Sequence, residues 1–73
     1  MKDNMDRHFV ASSNIASIGY DEATETLEVE FLNGSVYQYY NIPLGLFEQL
    51  MHEGSKGRFL NTYIKNAYPY SRV

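Results

Sequence analysis

Three small groups of residues in this chain could in principle take part in catalysis: two histidines, a glutamate pair and a serine pair. His8 and His52 lie far apart in sequence, so they do not form the closely spaced ligand pair of a metal site. Glu28 and Glu30 share a predicted strand face, but that face is the solvent face, where neither carboxylate is desolvated for acid–base work. Ser12-Ser13 has no neighbouring histidine or lysine to act as an activating base. We therefore predict that the protein is not an enzyme and holds neither a metal nor a cofactor.

The basic residues are concentrated in the C-terminal third of the chain. Residues 1–48 contain two basic and eight acidic side chains, whereas residues 49–73 contain four basic and one acidic, within a net charge of −3. The four are Lys56, Arg58, Lys65 and Arg72. Ordinary solvated charge is one interpretation, and a polarised surface whose helical end prefers an anionic partner is the other.

Seven tyrosines are many for a chain of 73 residues. In a small domain, tyrosines mostly supply core bulk while their hydroxyls reach water or the backbone. Beside basic residues they can instead stack on nucleobases. The predicted outer sheet face carries glutamates, so the candidates for stacking are Tyr63, Tyr68 and Tyr70, which lie near Lys65 and Arg72 in sequence.

These side chains must be positioned by a few short elements, of which residues 26–31 form the clearest. This segment alternates strictly, with Leu27, Val29 and Phe31 on the predicted core face. Asn33-Gly34 predicts a tight hairpin with a type I′ turn, which needs a positive φ at both positions.

The returning strand covers residues 36–40 and is rich in aromatic side chains. Gln38 is the polar member of its alternation, so we predict that Tyr37 and Tyr39 face the core. Tyr40 is then expected on the outer face.

An earlier strand is predicted within residues 10–20. Ile18 and Tyr20 share a face, and Ile15 joins them only if the strand bends or bulges. This segment is also a candidate for an exposed sheet edge through which the protein could self-associate.

Two helices follow the strands. Pro43 ends the last strand, a helical stripe of apolar residues follows it, and Gly54 predicts the first helix stop. Ser55 is the predicted N-cap of a second helix, whose free N–H groups could also meet an anion, and Pro69 ends that helix.

The predicted fold is α+β: a three-stranded antiparallel β-meander followed by two C-terminal α-helices packed on one sheet face. We expect a single domain over residues 10–73, preceded by a flexible lead-in of residues 1–9. The absence of cysteine fits a reducing cytosol, and no apolar run approaches the length of a membrane span. We expect a cytoplasmic protein that does not associate with membranes.

The ordered set of these features resembles the KTSC domain, a small family named for its place at the C-terminus of some lysyl-tRNA synthetases and also found as stand-alone proteins. The resemblance covers about residues 10–68. It is carried by Ser12-Ser13 with Ile15, Ile18 and Tyr20-Asp21; by Leu27, Val29 and Phe31 before Gly34; by Tyr37 and Tyr39 before Pro43; and by Ser55, Gly57, Asn61, Ile64 and Tyr68.

The resemblance implies no established activity and no catalytic residues. It suggests association with RNA or with an RNA-handling protein, and stand-alone copies include ones that resemble phage or prophage products. Within the matching residues, we expect Gly57 to let the second helix approach the sheet closely. Asn61, one turn later, is expected either to bond a backbone group of a strand or loop or to contact a ligand.

Two functions remain open. The first is a non-catalytic module that binds RNA or another polyanion through the C-terminal helix region, Lys56, Arg58, Asn61, Lys65 and Arg72. The alternative is a protein-interaction or accessory module, which docks on a protein partner through the anchors Tyr40, Tyr70 and Phe47.

Overall fold

The computed structural model describes residues 7–73. Its sheet has five antiparallel strands in chain order: β1 Arg7–Phe9, β2 Ile15–Asp21, β3 Thr26–Phe31, β4 Val36–Tyr39 and β5 Tyr70–Arg72. Between β4 and β5 lie α1 Leu44–His52 and α2 Lys56–Phe59, and α2 continues directly into a π-helical turn, Leu60–Ile64. The α+β class, the antiparallel sheet and the two helices are thus confirmed.

The prediction of three strands was wrong, because the described chain adds a strand at each edge of the sheet. Arg7–Phe9, which the sequence placed in the lead-in, pairs with β2 as β1. Tyr70–Arg72 pairs with β4 as β5. Both strands have only three residues, too few to show an alternating pattern. The rest of the predicted lead-in, residues 1–6, lies outside the described residues.

The two added strands also change the status of β2. It pairs with β1 on one side and with β3 on the other, so it is not a sheet edge as the sequence had suggested. Its predicted irregularity is confirmed, because the register with β3 shifts between Ile15 and Ser17. This bulge brings Ile15 and Ile18 to the same face, where both side chains are buried.

The hairpin between β3 and β4 forms as predicted, but its turn is of another type. Gly34 has a φ of 93°, whereas Asn33 does not have a positive φ. Gly34 N–H donates to the Phe31 carbonyl at 2.9 Å, and Phe31 N–H donates to the Ser35 carbonyl at 2.8 Å. These bonds fit a three-residue loop in which only glycine takes the left-handed conformation. The type I′ prediction is therefore wrong.

Both helices pack on the face of the sheet that carries Leu27 and Val29. The core joins these two residues and Tyr39 to side chains from both helices, and its fully or almost fully buried members are Ile15, Ile18, Leu27, Val29, Tyr39, Ile42, Leu50, Leu60 and Ile64. At the start of α1, the rings of Phe47 and Tyr20 stack with centroids 4.4 Å apart. No helix within residues 7–73 is long and apolar enough to cross a bilayer.

The first turn of α2 makes a close approach at Gly57. A Cβ at this position would overlap Oδ1 of Asn14 and lie 3.3 Å from its Cγ. The close packing expected of Gly57 is therefore present, although its neighbour is the loop before β2 rather than a strand. Ser55 precedes the helix as predicted, but its side chain makes no capping hydrogen bond.

Replacing Gly57 by alanine should change the free energy of unfolding by less than about 0.5 kcal/mol, because the cost of moving the exposed Asn14 side chain offsets the helix preference of alanine. In an Asn14→Ala background the same substitution should instead stabilise the protein, by up to about 1 kcal/mol, since alanine favours the helix. Urea unfolding of the four proteins in this double-mutant cycle measures the coupling.

Gly45 in α1 supplies the matched control. No atom lies within 4 Å of the position of its added Cβ. Gly45→Ala should therefore not destabilise the protein, with Asn14 present or absent. An equal effect of Gly57→Ala in both backgrounds would contradict the proposed contact with Asn14.

Candidate functional site

A row of polar residues crosses all five strands on the sheet face that points away from the helices. The strand registers place Arg7, Gly19, Glu28, Gln38 and Ser71 directly opposite one another, one from each strand. Gly19 has no side chain, so the Arg7 side chain can cross β2 and reach Glu28 on β3. The Arg7 Nη1 lies 3.4 Å from Oε2 of Glu28. The row therefore links non-adjacent strands.

Glu28 is the centre of this row and is only 3% exposed. Its Oε1 accepts a hydrogen bond of 2.8 Å from the Gln38 amide, while its other oxygen faces Arg7. The prediction that Glu28 lies in solvent was wrong, because a guanidinium from a strand that the sequence did not reveal covers it. Glu30, the other member of the predicted pair, is half-buried and accepts a 2.9 Å hydrogen bond from Ser17.

Tyr40 extends the same network on this outer face. Its hydroxyl donates to Oε1 of Gln38 at 3.2 Å and also bonds the Ser71 hydroxyl on β5. The expected position of Tyr40 on the outer face agrees with these bonds. Because its hydroxyl is already engaged within the sheet, Tyr40 has less capacity to act as a binding anchor than the sequence suggested.

The opposite, helix-side face carries an aromatic cluster next to the core. Tyr70 lies opposite Tyr39, and Arg72 lies opposite Tyr37, so all four side chains project from the same face. The Tyr70 ring centroid is 5.9 Å from that of Tyr37 and 5.8 Å from that of Tyr39. Tyr39 is only 2% exposed, whereas Tyr70 is 56% exposed. The prediction that Tyr37 and Tyr39 face the core side is confirmed.

A cavity of about 600 Å³ opens beside this cluster. Its aromatic floor consists of Phe31, Tyr37, Tyr39 and Tyr70. Phe31 meets Tyr37 edge to face, with centroids 5.8 Å apart. The volume lies within the range of small-molecule sites in proteins. The cavity is therefore the candidate binding site on the helix-side face.

The rim of the cavity is polar except for the exposed Leu32, and its polar residues come from three separate segments. Ser13 and Asn14 belong to the loop before β2, and Asn33 and Ser35 belong to the β3–β4 hairpin. Lys65 and Asn66 follow the π-helical turn. Hydroxyls, side-chain amides and one ammonium thus surround an aromatic floor. Such a surface can bind a ligand that combines a planar ring with hydrogen-bond acceptors or negative charge.

Of the residues that the sequence selected for binding, only Lys65 and Tyr70 line the cavity. Arg72 shares the sheet face of Tyr70. Lys56 and Arg58 lie at the other end of the helical segment, and the Lys56 ammonium donates to the Glu53 carbonyl at 2.9 Å. The predicted surface is therefore distributed over separate regions of the molecule.

Asn61 does not have the packing role that was expected of it. It is exposed, while Leu60 and Ile64 of the same turn are buried. Both lie within the π-helical turn, which is closed by the hydrogen bond from Lys65 N–H to the Leu60 carbonyl at 2.9 Å. A contact between Asn61 and a ligand stays a prediction.

Sequence reasoning missed the rim residues Asn14, Asn33, Ser35 and Asn66 as functional candidates. They lie in loops or turns, where no periodicity relates them to one another. Asn33 was recognised only for its place in a hairpin turn. Within residues 7–73 no group of three or more potential metal ligands is present.

Burial strongly affects one tyrosine of the cluster. Desolvation, with smaller contributions from the neighbouring Tyr37 and Tyr70, raises the pKa of Tyr39 to about 12. Burial and nearby acidic residues, Glu25 first among them, also raise the pKa of Tyr20. Tyr39 therefore stays neutral over the whole physiological range.

Comparison with known proteins places these features in a family. The KTSC domain matches residues 11–68. This chain is similar to the crystal structure of a KTSC domain protein from Yersinia pestis, with a TM-score of 0.89 and 38% sequence identity. The superposition includes 94% of this chain and 97% of the Yersinia chain.

Among sequence relatives, a protein of Trichormus variabilis named lysine–tRNA ligase is 38% identical over 61 residues, which are 84% of this chain. The match spans only 11% of that ligase. A short protein of Stutzerimonas stutzeri is 37% identical over 70 residues and is matched over 99% of its length. The domain thus occurs both as a small part of a long enzyme and as nearly a whole protein.

Replacing Glu28 by alanine should lower the free energy of unfolding by about 2 kcal/mol, because the Gln38 amide and the Arg7 guanidinium lose their partner. Glu22→Ala, at an exposed position in the β2–β3 turn, is the control and should change it by less than about 0.5 kcal/mol. Urea unfolding of both variants measures the difference. If both variants changed the free energy of unfolding by less than about 0.5 kcal/mol, the buried Glu28 carboxylate would make no net contribution to stability.

The raised pKa of Tyr39 predicts a loss of stability at alkaline pH. The folded protein holds this proton more tightly than the unfolded chain, whose tyrosine pKa is 10.0, so the stabilisation is complete below pH 10 and is lost as pH rises towards about 12. Tyr39→Phe should flatten this fall in unfolding free energy. The control, Tyr63→Phe, removes an exposed hydroxyl and should keep the wild-type slope; a slope unchanged by Tyr39→Phe would contradict the prediction.

Proposed function

The chain belongs to the KTSC domain family, and from this premise we propose that it is a small, non-catalytic accessory module that binds RNA through the helix-side face of its sheet. The observation that carries the proposal is the position of Lys65, Tyr70 and Arg72. Tyr70 and Lys65 line the cavity, and Arg72 projects from the same sheet face as Tyr70. Cations beside an accessible aromatic ring are the combination with which proteins bind single-stranded nucleic acids.

The distribution of acidic residues supports this choice of face. Glu28 and Glu30 project from the opposite face of the sheet, where Arg7 faces one and Ser17 donates to the other. These two carboxylates therefore do not face the cavity, and they do not repel an anionic ligand from within it. Lys56 and Arg58 lie at the far end of the helical segment and do not line the cavity, so they are not part of the proposed face.

The relatives favour RNA over other polyanions. Proteins named lysine–tRNA ligase contain the matched region, and by that name they act on tRNA. The match covers only 11% of each ligase, so the proposal takes from them an association with RNA and no catalytic step. A cytoplasmic location, which the lack of cysteine favours, is part of the same proposal.

Docking on a protein partner is the second candidate. It is favoured by Phe9, an exposed aromatic residue on the edge strand β1. Two of the three predicted anchors are less available, because Phe47 stacks on Tyr20 and the Tyr40 hydroxyl is bonded within the sheet. For this reason we place RNA binding first.

Binding of a labelled single-stranded RNA should weaken steeply as the salt concentration rises. Lys65→Gln and Arg72→Gln should each reduce the slope of log K against log salt by about 0.7, the value for one phosphate contact on a single strand. Fluorescence anisotropy titrations at several salt concentrations measure this slope. Lys56→Gln removes the same charge at a position that does not line the cavity, so it is the control and should change the slope less.

Two results would contradict RNA binding. One is the absence of binding at low salt, and the other is an affinity that does not depend on salt. A pull-down from the native host that recovers one defined protein and no RNA would favour the docking function instead.

A further inference from the structure

We infer that the cavity is a site for one unstacked nucleotide, with its base against Tyr70 and Tyr37 and its phosphate near Lys65. This inference deepens the proposed function and rests on it for RNA as the source of the nucleotide. A free mononucleotide has the same chemistry, and the experiment below separates the two sources.

The cavity lies where the chain leaves the helical segment and returns to the sheet. The π-helical turn ends at Ile64, and the chain returns at Pro69 to form β5. Tyr39 beneath the helices is almost completely buried, whereas Tyr70 at the edge is 56% exposed. An aromatic surface is thus left open next to the core. Since the cavity volume is about 600 Å³, it has room for a ring together with polar substituents.

The rings of the floor are arranged so that one of them can accept a stacking partner. Tyr70 is tilted by 53° from Tyr37 and by 45° from Tyr39, so neither neighbour stacks flat on it. With more than half of its surface exposed, Tyr70 can receive a planar base. Stacking of this kind tolerates any base, because every base has a π-face.

The rim supplies hydrogen-bond donors suited to a base edge and a phosphate. Oδ1 of Asn33 already accepts hydrogen bonds from the Ser35 backbone N–H and hydroxyl, at 3.0 and 2.7 Å. Oδ1 of Asn14 accepts one from Ser12 at 3.3 Å. Each of these amides therefore has its NH₂ group left to donate. Within residues 7–73, the side chains of Asn66 and Lys65 make no hydrogen bond or ion pair with another side chain or with the backbone.

A rim rich in donors calls for a ligand rich in acceptors. The carbonyl oxygens of uracil and the oxygens of a phosphate are such acceptors. A purely apolar peptide would leave the amide and ammonium groups unpaired, which is unfavourable. A base inside a duplex cannot reach Tyr70, because both of its faces are already stacked. The site should therefore select single-stranded over double-stranded RNA.

The test uses the full chain with two probes: uridine 5′-monophosphate, and a short labelled oligouridylate. Ribose 5-phosphate and an abasic oligonucleotide are the matched ligands without a base. Tyrosine fluorescence reports on the mononucleotides, because the chain has seven tyrosines and no tryptophan. Anisotropy reports on the oligonucleotides.

Tyr70→Ala should weaken both probes about ten-fold, as expected for the loss of one stacked base. Tyr70→Phe keeps the ring and should restore binding. Tyr63→Ala is the control, because Tyr63 is 56% exposed like Tyr70 but does not line the cavity. It should leave both affinities unchanged, and the melting temperature of each variant verifies its folding.

The outcomes separate the inference from the proposed function. If the oligouridylate binds but the abasic oligonucleotide binds as well, and Tyr70→Ala has no effect, the nucleotide site is overturned while RNA binding stands. If uridine monophosphate alone binds and is sensitive to Tyr70→Ala, the site stands for a free nucleotide and RNA binding fails. Equal binding of ribose 5-phosphate, or no binding of any probe, overturns the inference.

Discussion

The buried carboxylate of Glu28 determines how the two faces of this sheet are used. It joins Arg7 from the first strand and Gln38 from the fourth, and Tyr40 continues the network to Ser71 on the fifth. These polar interactions thus attach β1 and β5 to the rest of the sheet. Each of these edge strands has only three residues, too few to add much apolar packing. In the register Gly19 lies between Arg7 and Glu28, so no side chain of β2 stands between their charged groups. One face of the sheet is consequently committed to its own hydrogen bonds.

The other face has to supply both the core and any binding surface. In a chain of 73 residues, the helices are too short to cover a five-stranded sheet. They bury Leu27, Val29 and Tyr39, and they leave the end of the sheet near Tyr70 open. The π-helical turn buries Leu60 and Ile64 and ends at the cavity rim, where Lys65 follows it. The cavity is therefore a result of incomplete coverage and not of a separate binding element.

The sequence pattern within each segment predicted those parts of the fold that depend on residues near one another in the chain. The strict alternation of residues 26–31 identified the core face of β3, and the spacing of Ile15 and Ile18 required the bulge that β2 contains. The remaining features depend on contacts between distant segments. The Glu28 carboxylate, for example, contacts Arg7 from across β2 and Gln38 from β4. The three-residue edge strands had no pattern of their own. Asn61 is exposed beside the buried Leu60 and Ile64, on the solvent side of the helical segment, so its expected packing role was wrong.

The same distinction explains why only part of the candidate site was visible in the sequence. Composition identified Lys65, Arg72 and Tyr70 because basic and aromatic types are concentrated near the C-terminus, but it could not separate them from Lys56 and Arg58 at the other end of the helix. Strand pairing makes that separation, since β5 brings Tyr70 against Tyr39 and Arg72 against Tyr37. The amides of the rim come from loops that meet only in the folded chain. Because the acidic pair of β3 faces the opposite side, an acidic protein can still present a donor-rich, aromatic surface to an anionic ligand.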